Sequence, residues 1–514
     1  MVVLTSGIFM GLTPAPLNFW ILAWVALVPL WVLAVKTKRC FQELLLQGLV
    51  WGIGYHGLAL SWITGIHPMT WMGVNWWVSL AIALLCWLFI TLWGAVLVAL
   101  WSGAFGLICR SLHLKSWLSV SLSRVLIGTS LWCILEFLWS QGPLYWSSLS
   151  YTQSPSNLAI LHLGQISGPL TVTATIVTVN GLVAEAWINR TNNWKYLGMA
   201  AGILVMSHLI GFALYSRPLA QLPEAALKVG IVQGNIPNEV KLYEEGWRQA
   251  LEGYTKGYQI LADQKVDAVL TPEVALPIQW TEQNRINNSL YQTILEKRVV
   301  AWVGAFGIQG DNLTNSLFTV ASDGQTISEY RKVKLVPLGE YIPFKQWLGR
   351  LINRLSPLDT SLIAGQPNQL FDTPFGRAVV GICYESAFAE HFRTQAAAGG
   401  QFILTASNNA HYSQAMPAQH HAQDVMRAIE TDRWAVRATN TGYSGIVDPH
   451  GRTLWLSGIN TYELHTGMIY RRQTQTPYIR WGNWLTPILG LVGLSVWLLN
   501  ILKRNFNLLL PPVS

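Results

Sequence analysis

Charge is scarce in this chain. Asp, Glu, Lys and Arg make up 12% of it, about half the share of an average soluble domain. Residues 1–35 carry no charged side chain at all, so the N-terminal part does not read as an ordinary soluble domain. The basic residues that exist give a net charge of +8. They form no run and no nucleic-acid motif, and many sit at the ends of apolar segments, which argues against a nucleic-acid partner. Cysteine is scarce too. Of five, Cys40, Cys86, Cys109 and Cys133 lie in or beside apolar spans, where they read as small packing residues. Cys383 is alone in the polar stretch between Pro223 and Pro477, so no disulfide forms within that stretch. The first apolar span also lacks a basic flank before it, which argues against a cleaved signal peptide.

What is present is apolar sequence in long runs. Spans are expected near Val2–Thr13, Phe19–Val35, Glu43–Gly65, Trp76–Trp101, Leu122–Trp139, Leu158–Trp187, Tyr196–Tyr215 and Trp484–Leu502. Most are long enough to cross roughly 30 Å of hydrocarbon, and the 26 Trp suit membrane interfaces. Loop charges alternate. Lys36, Lys38 and Arg39, then Arg110, Lys115 and Arg124, then Arg190 and Lys195, and finally Lys503 and Arg504 mark basic loops. The intervening loops Ile66–Asn75 and Ser140–Asn157 contain no Lys or Arg. The positive-inside rule makes the basic loops cytoplasmic. An odd number of crossings then separates Lys36–Arg39 from the polar stretch, which is expected outside the cytoplasm. Glu136 is an ionisable residue within a span; it either reaches water near the outer interface or faces the bundle interior or a substrate cavity.

The polar stretch alternates strand-like and helical segments. Strands are expected at Leu227–Gln233, Val266–Leu270, Val299–Phe306, Ser316–Ala321, Gln325–Tyr330, Arg377–Ile382, Phe402–Ala406, Ala435–Thr439 and Tyr443–Val447. Helices are expected near Glu244–Gln264 and Ala418–Arg433. This pattern indicates a layered α/β domain. The division expected is a transmembrane helical domain at 1–220 with about seven spans, an α/β domain at 221–475, and a final span with a cytoplasmic tail at 476–514.

Three residues stand just past strands in this stretch: Glu273, Lys332 and Cys383. Alone, each has a bland reading as a helix cap, a solvated lysine or a buried packing thiol. Together they supply a base, an oxyanion-stabilising cation and a nucleophile. A thiol with an ordinary pKa near ~8.5 needs such help at neutral pH, and an ammonium with the backbone N–H after Cys383 would stabilise a tetrahedral oxyanion.

The segments Val232-Gln233-Gly234-Asn235-Ile236, Pro272-Glu273, Tyr330–Pro343, Ile382-Cys383-Tyr384-Glu385, Ser407-Asn408, Arg427–Glu430 and Arg437–Gly442 carry a family resemblance. The polar stretch resembles the nitrilase (carbon–nitrogen hydrolase) superfamily. The whole chain, with its eight spans and the domain before the last, resembles the bacterial apolipoprotein N-acyltransferases. The resemblance implies an extracytoplasmic αββα sandwich on a polytopic helical membrane domain. It implies Glu273 as general base, Lys332 as oxyanion stabiliser and Cys383 as nucleophile, with Glu340, Glu385 and Tyr384 in support. The implied activity moves an acyl chain from a phospholipid, typically phosphatidylethanolamine, to the N-terminal S-diacylglyceryl-cysteine amine of an apolipoprotein, through a thioester on Cys383. It implies the bacterial cytoplasmic (inner) membrane, with the domain on the periplasmic side, and requires no cofactor or metal. Nothing demands an oligomer, and a monomer is expected.

The chain departs from the family pattern at several points. Ser407-Asn408-Asn409-Ala410-His411-Tyr412 stands where members commonly have Ser-Asn-Asp-Ala-Trp-Phe. Lys241-Leu242 stands where they often have Lys-Trp, and Lys334 and Leu338 replace a usual His and Phe. Lid and lipid-facing details are where these bear. Segment Phe344–Leu355 places Phe344, Trp347 and Leu351 on one apolar helical face with Lys345, Arg350 and Arg354 nearby. That pattern fits a helix lying on a membrane at the lipid entrance, or one packed on its own domain. His411, His420 and His421 lack the spacing of a metal site. A membrane-tethered amidase shares Glu273, Lys332 and Cys383 and stands as the rival; a single span would suffice as its tether. A transporter or receptor with an appended sensor domain is the other, disfavoured by few intramembrane charges and no inverted repeat.

Overall fold

The computed structural model describes residues 1–36, 40–112, 117–341, 362–410 and 412–509. Two compact units emerge. One gathers residues 1–61, 84–217 and 481–514, the other residues 62–83 and 218–480. The second is thus not one continuous stretch.

The first unit is helical. Among the described residues, five helices are long and apolar enough to cross a membrane: Trp76–Ser111, Trp117–Ser140, Pro169–Ile188, Asn193–Tyr215 and Leu485–Leu509. Helix Phe41–Ala59 and the shorter Val2–Gly11 stand where spans are expected. Two expected spans are interrupted. Phe19–Val35 divides into a 3₁₀ turn, Trp20–Trp24, and the helix Val28–Lys36. Backbone groups freed in an apolar setting need partners, and Asn180 supplies them. Its Oδ1 accepts from Leu27 N at 2.9 Å and its Nδ2 donates to Ala23 O at 2.8 Å. Leu158–Trp187 breaks before Pro169 into two single-turn helices and the helix Pro169–Ile188. Glu136 does not reach water. It is buried and accepts hydrogen bonds from Ser148 Oγ, Thr173 Oγ1 and Trp132 Nε1 at 2.5, 3.0 and 3.0 Å.

The second unit is built on two sheets. Its strands are β1 (Ala226–Gln233), β2 (Ala268–Leu270), β3 (Leu276–Gln279), β4 (Val300–Gln309), β5 (Asn312–Val320), β6 (Thr326–Arg331), β7 (Phe371–Thr373), β8 (Gly376–Ile382), β9 (Phe402–Ser407), β10 (Ala435–Thr439), β11 (Gly445–Val447), β12 (Thr453–Leu456) and β13 (Glu463–Tyr470). The first sheet runs β13-β1-β2-β4-β5-β6, with β3 paired to β4; the second runs β12-β11-β10-β9-β8-β7. β1, β2 and β4 are mutually parallel, as are β8, β9 and β10.

Alternation along each strand makes the layers. Leu227, Val229 and Ile231 of β1 join Ala378, Val380 and Ile382 of β8 and Leu404 and Val436 in one core between the sheets. Val232, Val269, Ala301 and Val303 face the other way, onto Tyr254, Tyr258 and Leu261 of helix Glu244–Asp263 and Leu290 and Ile294 of helix Ser289–Lys297. Helix Ala389–Ala397 covers the second sheet, where Phe392 meets Gly381 of β8, and helix Ala415–Thr431 lies beside it. The result is an αββα sandwich.

Candidate active site

Parallel strands that end at one edge deliver the residues that follow them to one place. Glu273 lies in the turn after β2, Lys332 directly after β6 and Cys383 directly after β8. All three are buried. The structure therefore brings the sequence-selected trio together. The β2 turn packs close to β4: a Cβ on Gly304 would lie 1.9 Å from Pro272 O.

Lys332 Nζ sits between two carboxylates, 2.8 Å from Glu273 Oε1 and 2.9 Å from Glu340 Oε2. Asn315 on β5 braces the same pair; its Nδ2 donates to Glu273 Oε1 at 2.7 Å and Glu340 Oε1 at 2.8 Å. Burial alone would lower the lysine, but Glu273 and Glu340 hold it well above the ordinary range. Burial would likewise raise Glu273; the charges of Lys332 and Lys241 and the bonds from Lys332 and Asn315 pull it below the usual carboxylate range. Burial raises Glu340 despite Lys332. Of the two carboxylates, Glu273 is the one whose surroundings favour the ionised form. Lys332 keeps one ammonium N–H without a partner among the described residues.

Cys383 has φ +52°, a left-handed backbone that a residue with a side chain holds only under constraint. Its surroundings supply the constraint. His420 Nε2 lies 2.7 Å from Cys383 O. Burial, with Arg437, lowers the imidazole to about 3, so the ring is neutral and Nε2 carries the proton that is donated. Asn409 Nδ2 donates to His420 Nδ1 at 3.2 Å and fixes that tautomer. Glu385 ties the Cys383 turn to the Lys332 segment, accepting from Ile382 N, Val333 N, Lys334 N and Tyr330 Oη at 2.7, 2.6, 3.0 and 2.9 Å. It touches neither Lys332 Nζ nor the thiol, so its contribution is the backbone. Tyr384 is half-buried, its ring edge-on to Phe388. Burial and the Glu273 charge push the Cys383 thiol up to about 12, with Lys332 opposing. The resting group is a thiol beside an ionised carboxylate.

Sequence reasoning missed several contributors. Lys241 was noted for its neighbour at 242, yet its own Nζ is buried and donates to Glu273 O at 3.0 Å. Asn315, His420 and Asn409 carry no local signature. Residues 62–83 also belong to this unit. Trp62 Nε1 donates to Gln419 Oε1 at 3.1 Å and its ring meets Tyr412 edge-on at 5.0 Å. Lys334 places Nζ 4.8 Å from the Phe388 ring, and Leu338 has φ +68°. Phe344, Trp347, Leu351 and His411 lie outside the described residues. Among the described residues no group of His, Cys, Asp and Glu has a metal-binding arrangement.

Both parts of the chain match family profiles. Residues 228–476 match the carbon-nitrogen hydrolase profile, and residues 6–182 match the apolipoprotein N-acyltransferase N-terminal domain. An apolipoprotein N-acyltransferase of Nostoc sp. is 62% identical over 503 residues, covering 96% of this chain and 98% of that one. One of Synechocystis sp. is 47% identical over 514 residues, covering 96% and 99%. A solved amidase from Nesterenkonia sp. AN1 is 16% identical, covers 51% of this chain and 96% of that one, and has a TM-score of 0.38; at that distance it adds nothing to the reading.

Proposed function

Because the chain belongs to the apolipoprotein N-acyltransferase family and is an acyltransferase by class, we propose that it moves a fatty acyl chain from a phospholipid to a lipoprotein through a Cys383 thioester. Glu273 takes the thiol proton as Sγ attacks the donor's ester carbonyl. Lys332 and the Tyr384 N–H receive the developing oxyanion. The S–C bond forms, the C–O bond to glycerol breaks, and Glu273 passes its proton to the departing glycerol oxygen, releasing lysophospholipid. In the second half the N-terminal amine of an S-diacylglyceryl cysteine attacks the thioester. Glu273 accepts the amine proton and returns it to the leaving sulfur, leaving an amide and the free thiol. This is two-step covalent catalysis.

The observation that carries this reading is Lys332 held between Glu273 and Glu340 at 2.8 and 2.9 Å. The carboxylates use two of its donors and orient the third. A thiol at about 12 is not stored as thiolate, so proton loss accompanies bond formation, as general-base catalysis requires. Glu340 holds Lys332, while Glu385 sets the Cys383 turn. Helices long enough to cross a membrane support a lipid donor, with phosphatidylethanolamine the expected head group. The loop-charge pattern supports a cytoplasmic (inner) membrane location with the α/β unit on the periplasmic side, acting as a monomer without a cofactor.

Intact mass after incubation with phosphatidylethanolamine tests the first half. Wild type is expected to gain a hydroxylamine-labile acyl adduct, and Cys383→Ala none. An adduct on Cys383→Ala, or none on wild type with ammonia released from small amides, would reject the reading for an amidase.

A further inference from the structure

A buried ammonium is costly unless its charge is matched, so Lys241 calls for a reason. It ends the one-turn helix Asn238–Lys241 after β1 and is 4% exposed. The bond to Glu273 O is the one hydrogen bond its ammonium makes among the described residues. The other two donors have no partner there, and the Glu273 carboxylate answers its charge through space.

The backbone around it is built to hold it in place. Asn235 N donates to Asn440 O at 2.7 Å, and Asn440 Nδ2 donates to Ile236 O at 2.6 Å, which pins the exit of β1 to the exit of β10. Helix Glu244–Asp263 approaches so closely at Gly246 that a Cβ there would lie 2.6 Å from Lys241 Cα. This packing presses the lysine inward.

We propose that Lys241 is a positioning residue for Glu273: its ammonium anchors the turn after β2 and keeps the base ionised, leaving Lys332 for the oxyanion. The inference rests on Glu273 being the base. The groups facing Glu273 are Lys332, Glu340, Asn315, Cys383, Tyr412 and Lys241. Burial lowers Lys241 to about 8, against the pull of Glu273 and Cys383, so the cation is present below that pH. Its removal is therefore read on the acid side. Without it the Glu273 carboxylate protonates more readily, and the acid limb of acylation moves up.

The test follows acyl-adduct formation from phosphatidylethanolamine micelles by intact mass from about pH 4 to pH 8, with thermal unfolding monitored. The chains compared are wild type, Lys241→Met, Lys241→Gln, Lys241→Arg and Glu273→Gln. The neutral variants are expected to shift the acid limb upward by about one pH unit or more, and Lys241→Arg to restore it. An equal loss at every pH in both neutral variants, or no restoration by arginine, overturns the proposal and leaves Lys241 a packing residue. If Lys241→Met fails to fold, Lys241→Gln and Lys241→Arg decide it. An adduct on Glu273→Gln would instead reject the base assignment, separately from Lys241.

Discussion

Cys383 combines a left-handed backbone, φ +52°, with a thiol pushed up to about 12. At pH 8 that leaves about one thiolate in ten thousand. Iodoacetamide is expected to label it far more slowly than a free cysteine, with a rate that climbs through the alkaline range; labelling as fast as glutathione at pH 7 would contradict the burial argument. His420 holds the same peptide by its bond to Cys383 O at 2.7 Å. His420→Phe removes a buried donor worth ~1–3 kcal/mol and is expected to slow acylation roughly ten- to hundredfold, with His420→Gln retaining more activity. Equal rates in both variants and wild type would show the strained turn stands unaided. The trio Glu273, Lys332 and Cys383 was legible because each residue follows an apolar run that reads as a strand. Lys241, Asn315 and His420 were not, since their work depends on partners 32, 42 and 37 residues away. No periodicity encodes such pairings.

Strands were legible where alternation was long. β4, β6, β8, β9 and β10 lie within a few residues of their expected ends, whereas β3, β7 and β12, of four, three and four residues, left too short a pattern, and the eight-residue β13 was also missed. The interrupted span at Phe19–Val35 was illegible because its cause, Asn180, sits more than 150 residues away. Elements also transmit effects to the site. Gly304 of β4 admits the turn carrying Glu273, so Gly304→Ala is expected to cut the acylation rate roughly tenfold or more by displacing Glu273. An unchanged rate would show the turn has slack. Near the Cys383 turn, Asp424 of helix Ala415–Thr431 pairs with Arg437 of β10, which also bonds Ser386 Oγ at 3.0 Å. Asp424→Ala strands a buried guanidinium and is expected to destabilise the α/β unit by about 3–5 kcal/mol; denaturant unfolding would measure it. Burial would raise this carboxyl, but Arg437 holds it below the ordinary range. Its stabilisation is thus present above the unfolded value and is lost as pH falls through the folded one.

At the scale of the molecule, composition separated an apolar half from a polar one, but not the membership of residues 62–83, which pack with the α/β unit while lying between apolar spans in sequence. Contact across long separations decides that, and composition does not report it. Loop charge gives the expectation that the α/β unit lies outside the cytoplasm. A protease added to intact spheroplasts is expected to cut the 218–480 unit when it is unfolded by mutation; protection until the membrane is breached would place that unit in the cytoplasm. The central claim is that one thiol carries an acyl group between two lipidated substrates. The most direct measurement isolates the acyl-enzyme, removes phospholipid and adds an S-diacylglyceryl-cysteine peptide in a single turnover. The enzyme is expected to lose the acyl mass as the peptide gains it in an amide. Loss of the acyl group to water as free fatty acid, with the peptide unchanged, would contradict it.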